Sequence, residues 1–247
     1  MRWLAGLLLM IATGVAMPAP ASCNNDRALR QQVETLTRTQ NEVVAAAVDR
    51  IQGTDRRLLA LRSYVRSAAS LTDRWSWSQA QIDSYRESDE YRDLLAEIDK
   101  VRLQFETDNP GFTLYANSEV RSLDVQVQRW NENQGVGGVA ATLYSSVCHS
   151  GSMRTAAFRQ FLIEWQPQTP SPLAAPGLSQ HGRARAIDFQ IQQGQRLVAG
   201  TDTAAIDEAW IGQGWSRKLE AAISKASSKF QGPLAMPDEP WHYEYRP

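Results

Sequence analysis

Apolar residues in the first half of the chain recur at helical spacing. Leu29, Val33, Leu36, Val43, Ala47 and Ile51 follow one another in steps of three, four or seven, and Leu58, Leu61 and Val65 extend the stripe, with arginines and acids between them. Gln40 and the Gln52-Gly53-Thr54-Asp55 segment interrupt it. That predicts a short helical hairpin or stalk rather than a coiled coil, which needs several unbroken heptads. A second helix is predicted from Ser78, a residue type suited to the N-cap, with Ile82, Tyr85, Tyr91, Leu94, Leu95, Ile98, Val101 and Phe105 on its apolar face. It stops at the turn Asp108-Asn109-Pro110-Gly111.

Beyond that turn the pattern changes. Residues 112–118 read as a strand, 121–133 as a short amphipathic helix, and the glycine-rich 134–138 as a loop. Residues 153–165 are again helical, and the proline-rich 166–177 form a loop that delivers the chain to Ser179. From Arg185 to Ile191 apolar and other residues alternate as in a strand, 204–230 read as helix, and 241–245 as a last strand. Helices first and a small sheet later make an α+β protein: a small antiparallel sheet with flanking helices, preceded by an N-terminal helical region. The expected division is 1–21, 22–107 and 108–247.

The opening segment has its own signature. Arg2 precedes an apolar run from Trp3 to Met17, followed by Ala19-Pro20-Ala21, which reads as an export signal with a small-residue cleavage site and predicts a periplasmic or cell-envelope location. Only two cysteines are present, Cys23 and Cys148. Cys23 is a candidate lipid anchor just past the cleavage site, or a disulfide partner of Cys148 in an oxidising compartment. Lys and Arg number 26 against 27 acids, for a net charge of −1, so there is no electrostatic case for nucleic acid as a partner.

Two of the three histidines carry the candidate chemistry. His181 and Asp188 are seven residues apart, so on one unbroken strand they would face opposite ways; Gly182 supplies a place to turn. With Ile187, Phe189 and Ile191 on the core face, Asp188 projects the other way into a cleft, with His181 on the loop above. In the last strand Trp241, Tyr243 and Tyr245 share one face and His242 takes the opposite one, with Glu239 just before it and held extended by Pro240. Two neutral imidazoles and a carboxylate are zinc ligands that leave a fourth position open, the arrangement of a catalytic site, and Glu239 is the candidate general base. Taken singly, each residue also has an ordinary structural explanation; together they point to a metal. His149 follows Cys148 without a matching carboxylate and reads as structural or surface.

The segments Ser-Gln-His-Gly-Arg-Ala-Arg-Ala-Ile-Asp-Phe (179–189) and Glu-Pro-Trp-His-Tyr-Glu-Tyr (239–245) resemble the two signatures of the zinc D-Ala-D-Ala carboxypeptidases of the VanY type, within the peptidoglycan-cutting metallopeptidases that include the VanX dipeptidases. The resemblance covers about 108–247. It implies His181, Asp188 and His242 as zinc ligands, Glu239 as general base and Ser179 as a substrate-holding serine. A weaker likeness of residues 116–126 to a third family segment implies Arg121 as the cation facing the substrate and Gln126 as a supporting or substrate-binding residue. Glu119 and Val120 replace the family's usual Gly-Tyr, and Ala184 stands where the first signature commonly has glycine. The implied activity is zinc-dependent hydrolysis of a peptide bond in peptidoglycan stem peptides, with an endopeptidase of the same fold or a non-catalytic wall-binding protein as alternatives. The serine route of penicillin-binding proteins is closed, because none of Lys100, Lys218, Lys225 and Lys229 has a serine three positions before it. For the N-terminal helices, a solvated packing appendage and a partner-binding stalk both stand.

Overall fold

The structure, a computed structural model, describes residues 26–151, 153–235 and 238–247. The export signal, its cleavage site and both readings of Cys23 lie outside the described residues. Among the described residues no helix is long and apolar enough to cross a membrane.

The first helical stripe is three helices, α1 (Asp26–Arg38), α2 (Glu42–Asp49) and α3 (Thr54–Arg66), broken at both expected interruptions. Asn41 caps α2, its side chain accepting from the Val44 amide, and the restart shifts the helical phase. Val44 is therefore buried, whereas Val43, expected in the core, is half exposed. A short α4 (Leu71–Arg74) follows. Ser78 does start a helix, through a reciprocal capping box with Gln81. That helix ends early, because Ser88 caps a fresh one, giving α5 (Gln79–Arg86) and α6 (Asp89–Asp108) in place of one continuous element.

After β1 (Thr113–Asn117) come α7 (Leu123–Glu132), α8 (Gln134–Ser150) and α9 (Thr155–Glu164). The loop expected at 134–138 is instead the first turns of α8, capped by Asn133 accepting from the Val136 amide. Its glycines answer tertiary contacts: a Cβ at Gly137 would sit 2.7 Å from the Arg56 guanidinium, and one at Gly135 would sit 2.9 Å from the Pro172 ring. Close approach by neighbours outweighs the poor intrinsic helix propensity of glycine. The helix expected over 204–230 is shorter and irregular. A 3-10 turn and a π-helical stretch (Ile206–Gly212) precede α10 (Trp215–Ala226), and the chain is already strand by Phe230.

The remaining strands are β2 (Ala186–Gln193), β3 (Arg196–Ala199), β4 (Phe230–Gln231), β5 (Leu234–Ala235), β6 (Asp238–Glu239) and β7 (His242–Tyr245). The main sheet is antiparallel in the order β1-β2-β7-β4, with β3 also paired to β2; β5 and β6 form a separate ribbon. Together with the flanking helices this is an α+β fold with an N-terminal helical region. Ile187, Phe189 and Ile191 are fully buried on one face of β2, joined by Tyr243 and Tyr245 of β7, as the alternation predicts.

Two apolar cores result, and neither stops at residue 107. One gathers α1 to α4 with Trp130, Val136, Leu143, Phe158, Leu162 and Leu178 from later in the chain. The other packs α5 and α6 onto the sheet and α10, through residues such as Leu94, Phe105, Phe189, Trp210 and Leu219. The N-terminal helices are thus halves of both cores, so the picture of a solvated appendage does not describe them.

Candidate metal centre

Asp188 and His242 are directly paired residues on adjacent strands, β2 and β7. Paired residues in a sheet point to the same face, so the pairing alone puts the carboxylate beside the imidazole, opposite the core. His181 comes from the 3-10 turn Gln180–Arg183 that precedes β2. The turn that sequence reasoning assigned to Gly182 closes at Ala184, which is left-handed (φ 52°) and is the one non-glycine residue at positive φ among the described residues. An L-residue there costs about 1–2 kcal/mol relative to ordinary helical backbone. Gly182 is needed for a different reason, which is space: a Cβ on it would lie 2.0 Å from Ser76 Oγ and 2.7 Å from Gln126 Nε2.

The three side chains converge. His181 Nε2 lies 3.4 Å from Asp188 Oδ2, and His242 Nδ1 lies 3.2 Å from Asp188 Oδ1. One ligand atom from each falls within 4.8 Å of the other two. Two ligand atoms each about 2.0–2.1 Å from a tetrahedral ion stand roughly 3.3 Å apart, so both histidine–aspartate separations suit a shared cation. All three residues are buried, and the two imidazole rings meet edge to face.

Electrostatics favours the protonation states a cation requires. Burial pushes the His181 imidazole towards its neutral form, against the pull of Asp188. Burial alone would raise the Asp188 carboxyl, but hydrogen bonds from His181 and His242, together with the Arg121 charge, outweigh it and hold the group well below the usual carboxylate range. The result is an ionised, desolvated carboxylate beside a neutral imidazole, and a cation would take the place of the proton shared between them. This donor set fits a divalent metal ion.

Glu239 sits beside this triad, its Oε2 3.5 Å from His242 Nδ1. Burial raises its pKa, with His242 opposing and the negative Asp188 adding to the rise. A carboxylate with enhanced proton affinity next to a cation site is suited to receive a proton from water. Arg121 donates from Nη2 to Asp188 Oδ2 at 3.0 Å, so it enters the site through the aspartate. Its backbone amide also donates to the His181 carbonyl, tying the two loops together.

Gln126 does not face an open cleft. Its Nε2 donates to Ser76 Oγ and to the Arg121 carbonyl, and its Oε1 accepts from the Gly177 amide, so both amide donors are engaged in holding loops. It supports the Arg121 segment and has no donor left for a substrate. Ser179 is half-buried at the start of the His181 turn, where its carbonyl accepts from the Gly182 amide. His149 lies exposed on α8, its Nδ1 2.7 Å from the Ser145 carbonyl, away from the triad in the fold as in the sequence reading.

Sequence reasoning missed Ser76. Its amide donates to the Gly177 carbonyl, the next amide, Trp77, donates to the Gly182 carbonyl, and its hydroxyl accepts from Gln126. The segment between the two tryptophans therefore stitches the N-terminal helices to the turn that carries His181. A buried serine flanked by large aromatics was the only available signal, and no motif marks it.

No family model, no curated protein and no solved structure matches this chain. The case for function therefore rests on the geometry and on the residue patterns themselves.

Proposed function

We propose that this protein is a zinc-dependent peptidase that hydrolyses a peptide bond in peptidoglycan stem peptides, most simply as a D-Ala-D-Ala carboxypeptidase. The observation that carries the reading is the convergence of His181, Asp188 and His242 from two strands and a loop, with Glu239 against the same cluster. A purely structural metal site has no use for a further carboxylate at its rim, whereas a hydrolytic one does. The resemblance of 179–189 and 239–245 to the VanY-type signatures supports the same assignment and supplies the substrate class.

Held by His181, Asp188 and His242, a zinc ion would supply Lewis acidity and would acidify a water molecule. Glu239 takes the proton from the attacking water and returns it to the departing amine. Arg121, beside Asp188 and about one-fifth exposed, offers positive charge to the developing negative oxygen or to a substrate carboxylate. His181 and His242 would bind through imidazole nitrogens, and the buried Asp188 would offset part of the cation's charge. Gln126 and Ser76 keep the Arg121 and His181 loops in register.

Digestion of defined muropeptides by the purified protein, with and without chelator, tests the reading. Mass spectrometry should show chelator-sensitive loss of one alanine, and the mass lost identifies the bond. Bound zinc with no released fragment from any muropeptide would contradict a catalytic role.

A further inference from the structure

A concave feature lies at the seam between the N-terminal helices and the His181 turn. It is a cleft of about 650 Å³, within the range of small-ligand sites, and its walls include Asn41, Glu42, Trp75, Trp77, Gln81 and Arg183. Its position is tied to the metal centre. Trp77 donates its amide to the Gly182 carbonyl, and Arg183 is the last residue of the turn that carries His181.

The lining has a definite chemistry. Trp75 and Trp77 are half-buried: Trp75 packs against Tyr64 and over Gly177, Trp77 packs against Tyr85, and each is still in contact with solvent. Around them stand planar side chains: Glu42 and Arg183, together with Asn41 and Gln81, whose oxygens cap α2 and α5 and whose amide NH2 groups remain as donors. Arg183 adds a cationic, partly exposed guanidinium to the wall, with its Nε buried and without a hydrogen-bond partner among the described residues. One cation and one anion cancel, so the cleft has no preference for net charge. An acidic peptide would meet Glu42, and a purely apolar ligand would leave the polar rim unsatisfied. A neutral saccharide matches this lining: the apolar face of a pyranose ring would lie on an indole, and its hydroxyl and acetamido groups would meet the side-chain amides and the Arg183 guanidinium.

We infer that this cleft binds the glycan portion of the polymer whose peptide reaches the metal centre, so that the N-terminal helices build a saccharide subsite for the enzyme. The inference rests on the proposed substrate class, and the experiment separates the two. Soluble β-1,4-linked oligomers of N-acetylglucosamine, with maltotriose as control, are titrated into the full chain stripped of metal, and binding is followed by tryptophan fluorescence and calorimetry. The N-acetylglucosamine oligomer should bind, and Arg183→Ala and Glu42→Ala should each weaken it about tenfold, corresponding to roughly 1.4 kcal/mol. Circular dichroism of both variants verifies that they are folded. Failure to bind at millimolar oligomer, or binding equal in parent and both variants, overturns the subsite. Saccharide binding without muropeptide hydrolysis supports the cleft while removing the proposed activity; hydrolysis of free stem peptides without saccharide binding does the reverse.

Discussion

The two cores of this molecule are built by the same rule and differ in what they bury. Around α1 to α4, α8 and α9 the buried residues are almost wholly apolar, with Thr37 bonded to the carbonyl one helical turn back. The sheet half and the seam between the halves hold Ser76, Glu97, Gln126, His181, Asp188, Ser227 and His242 below the surface. Buried polar groups cost free energy unless they are partnered, so a concentration of them on one side marks where something other than stability shaped the sequence. In the helical half burial serves packing. In the sheet half burial strips water from His181 and pushes it towards its neutral form beside the ionised Asp188. The seam joins the two by placing Ser76 from the helical half against the turn that carries His181.

Glu239→Gln is the sharpest way to cut the sheet half's chemistry from its packing. The rate of the proposed muropeptide hydrolysis should fall by about 10²–10⁴-fold while zinc content stays at the parental level, because Glu239 is outside the candidate ligand triad. Equal rates in parent and variant would mean the base is misassigned. The converse cut is Phe158→Ala in the helical core, where the side chain is fully buried. It should cost about 3–5 kcal/mol in denaturant unfolding yet leave zinc affinity of the folded protein unchanged. A large loss of affinity in that variant would show that the two halves are not separable in this way.

Gly182→Ala tests the seam itself. The added methyl would overlap Ser76 and Gln126, so unfolding free energy should drop by about 1–3 kcal/mol, and zinc should bind more weakly because the His181 turn must shift. Unchanged stability together with unchanged affinity would remove the seam from the account. The smallest effect lies far from the site, where Asp93 on α6 joins Lys229 and Tyr245. The hydrogen bond from Lys229, then that from Tyr245, outweigh desolvation and lower the Asp93 pKa. A carboxylate depressed in the folded state adds stability above its unfolded pKa of about 3.9, and that stability is lost as pH falls through the lower folded value. Thermal melts of Asp93→Asn should therefore lie slightly below those of the parent at pH 7 and converge with them towards pH 3.

Much of the site was readable because strands impose a period of two. The alternation Ile187, Asp188, Phe189 and the flanking of His242 by Trp241 and Tyr243 required the polar member of each run to leave the core, and the antiparallel register then made Asp188 and His242 neighbours. What escaped depended on contacts distant in sequence. Gly135 and Gly137 look like loop residues until Pro172 and Arg56 are seen against them, and the exchange of Val44 for Val43 followed from a cap that reset the helical phase. The role of Ser76 is invisible locally, since a serine between tryptophans specifies nothing until Gly177 and Gly182 are brought alongside. Strands of two residues, such as β4 to β6, are too short to show any period.

The central claim, that His181, Asp188 and His242 hold one metal ion, is tested most directly by the metal content and zinc affinity of the purified chain beside those of His242→Ala. The account predicts one equivalent of zinc in the parent and none retained by the folded variant. Zinc absent from both, or bound equally by both, would contradict it.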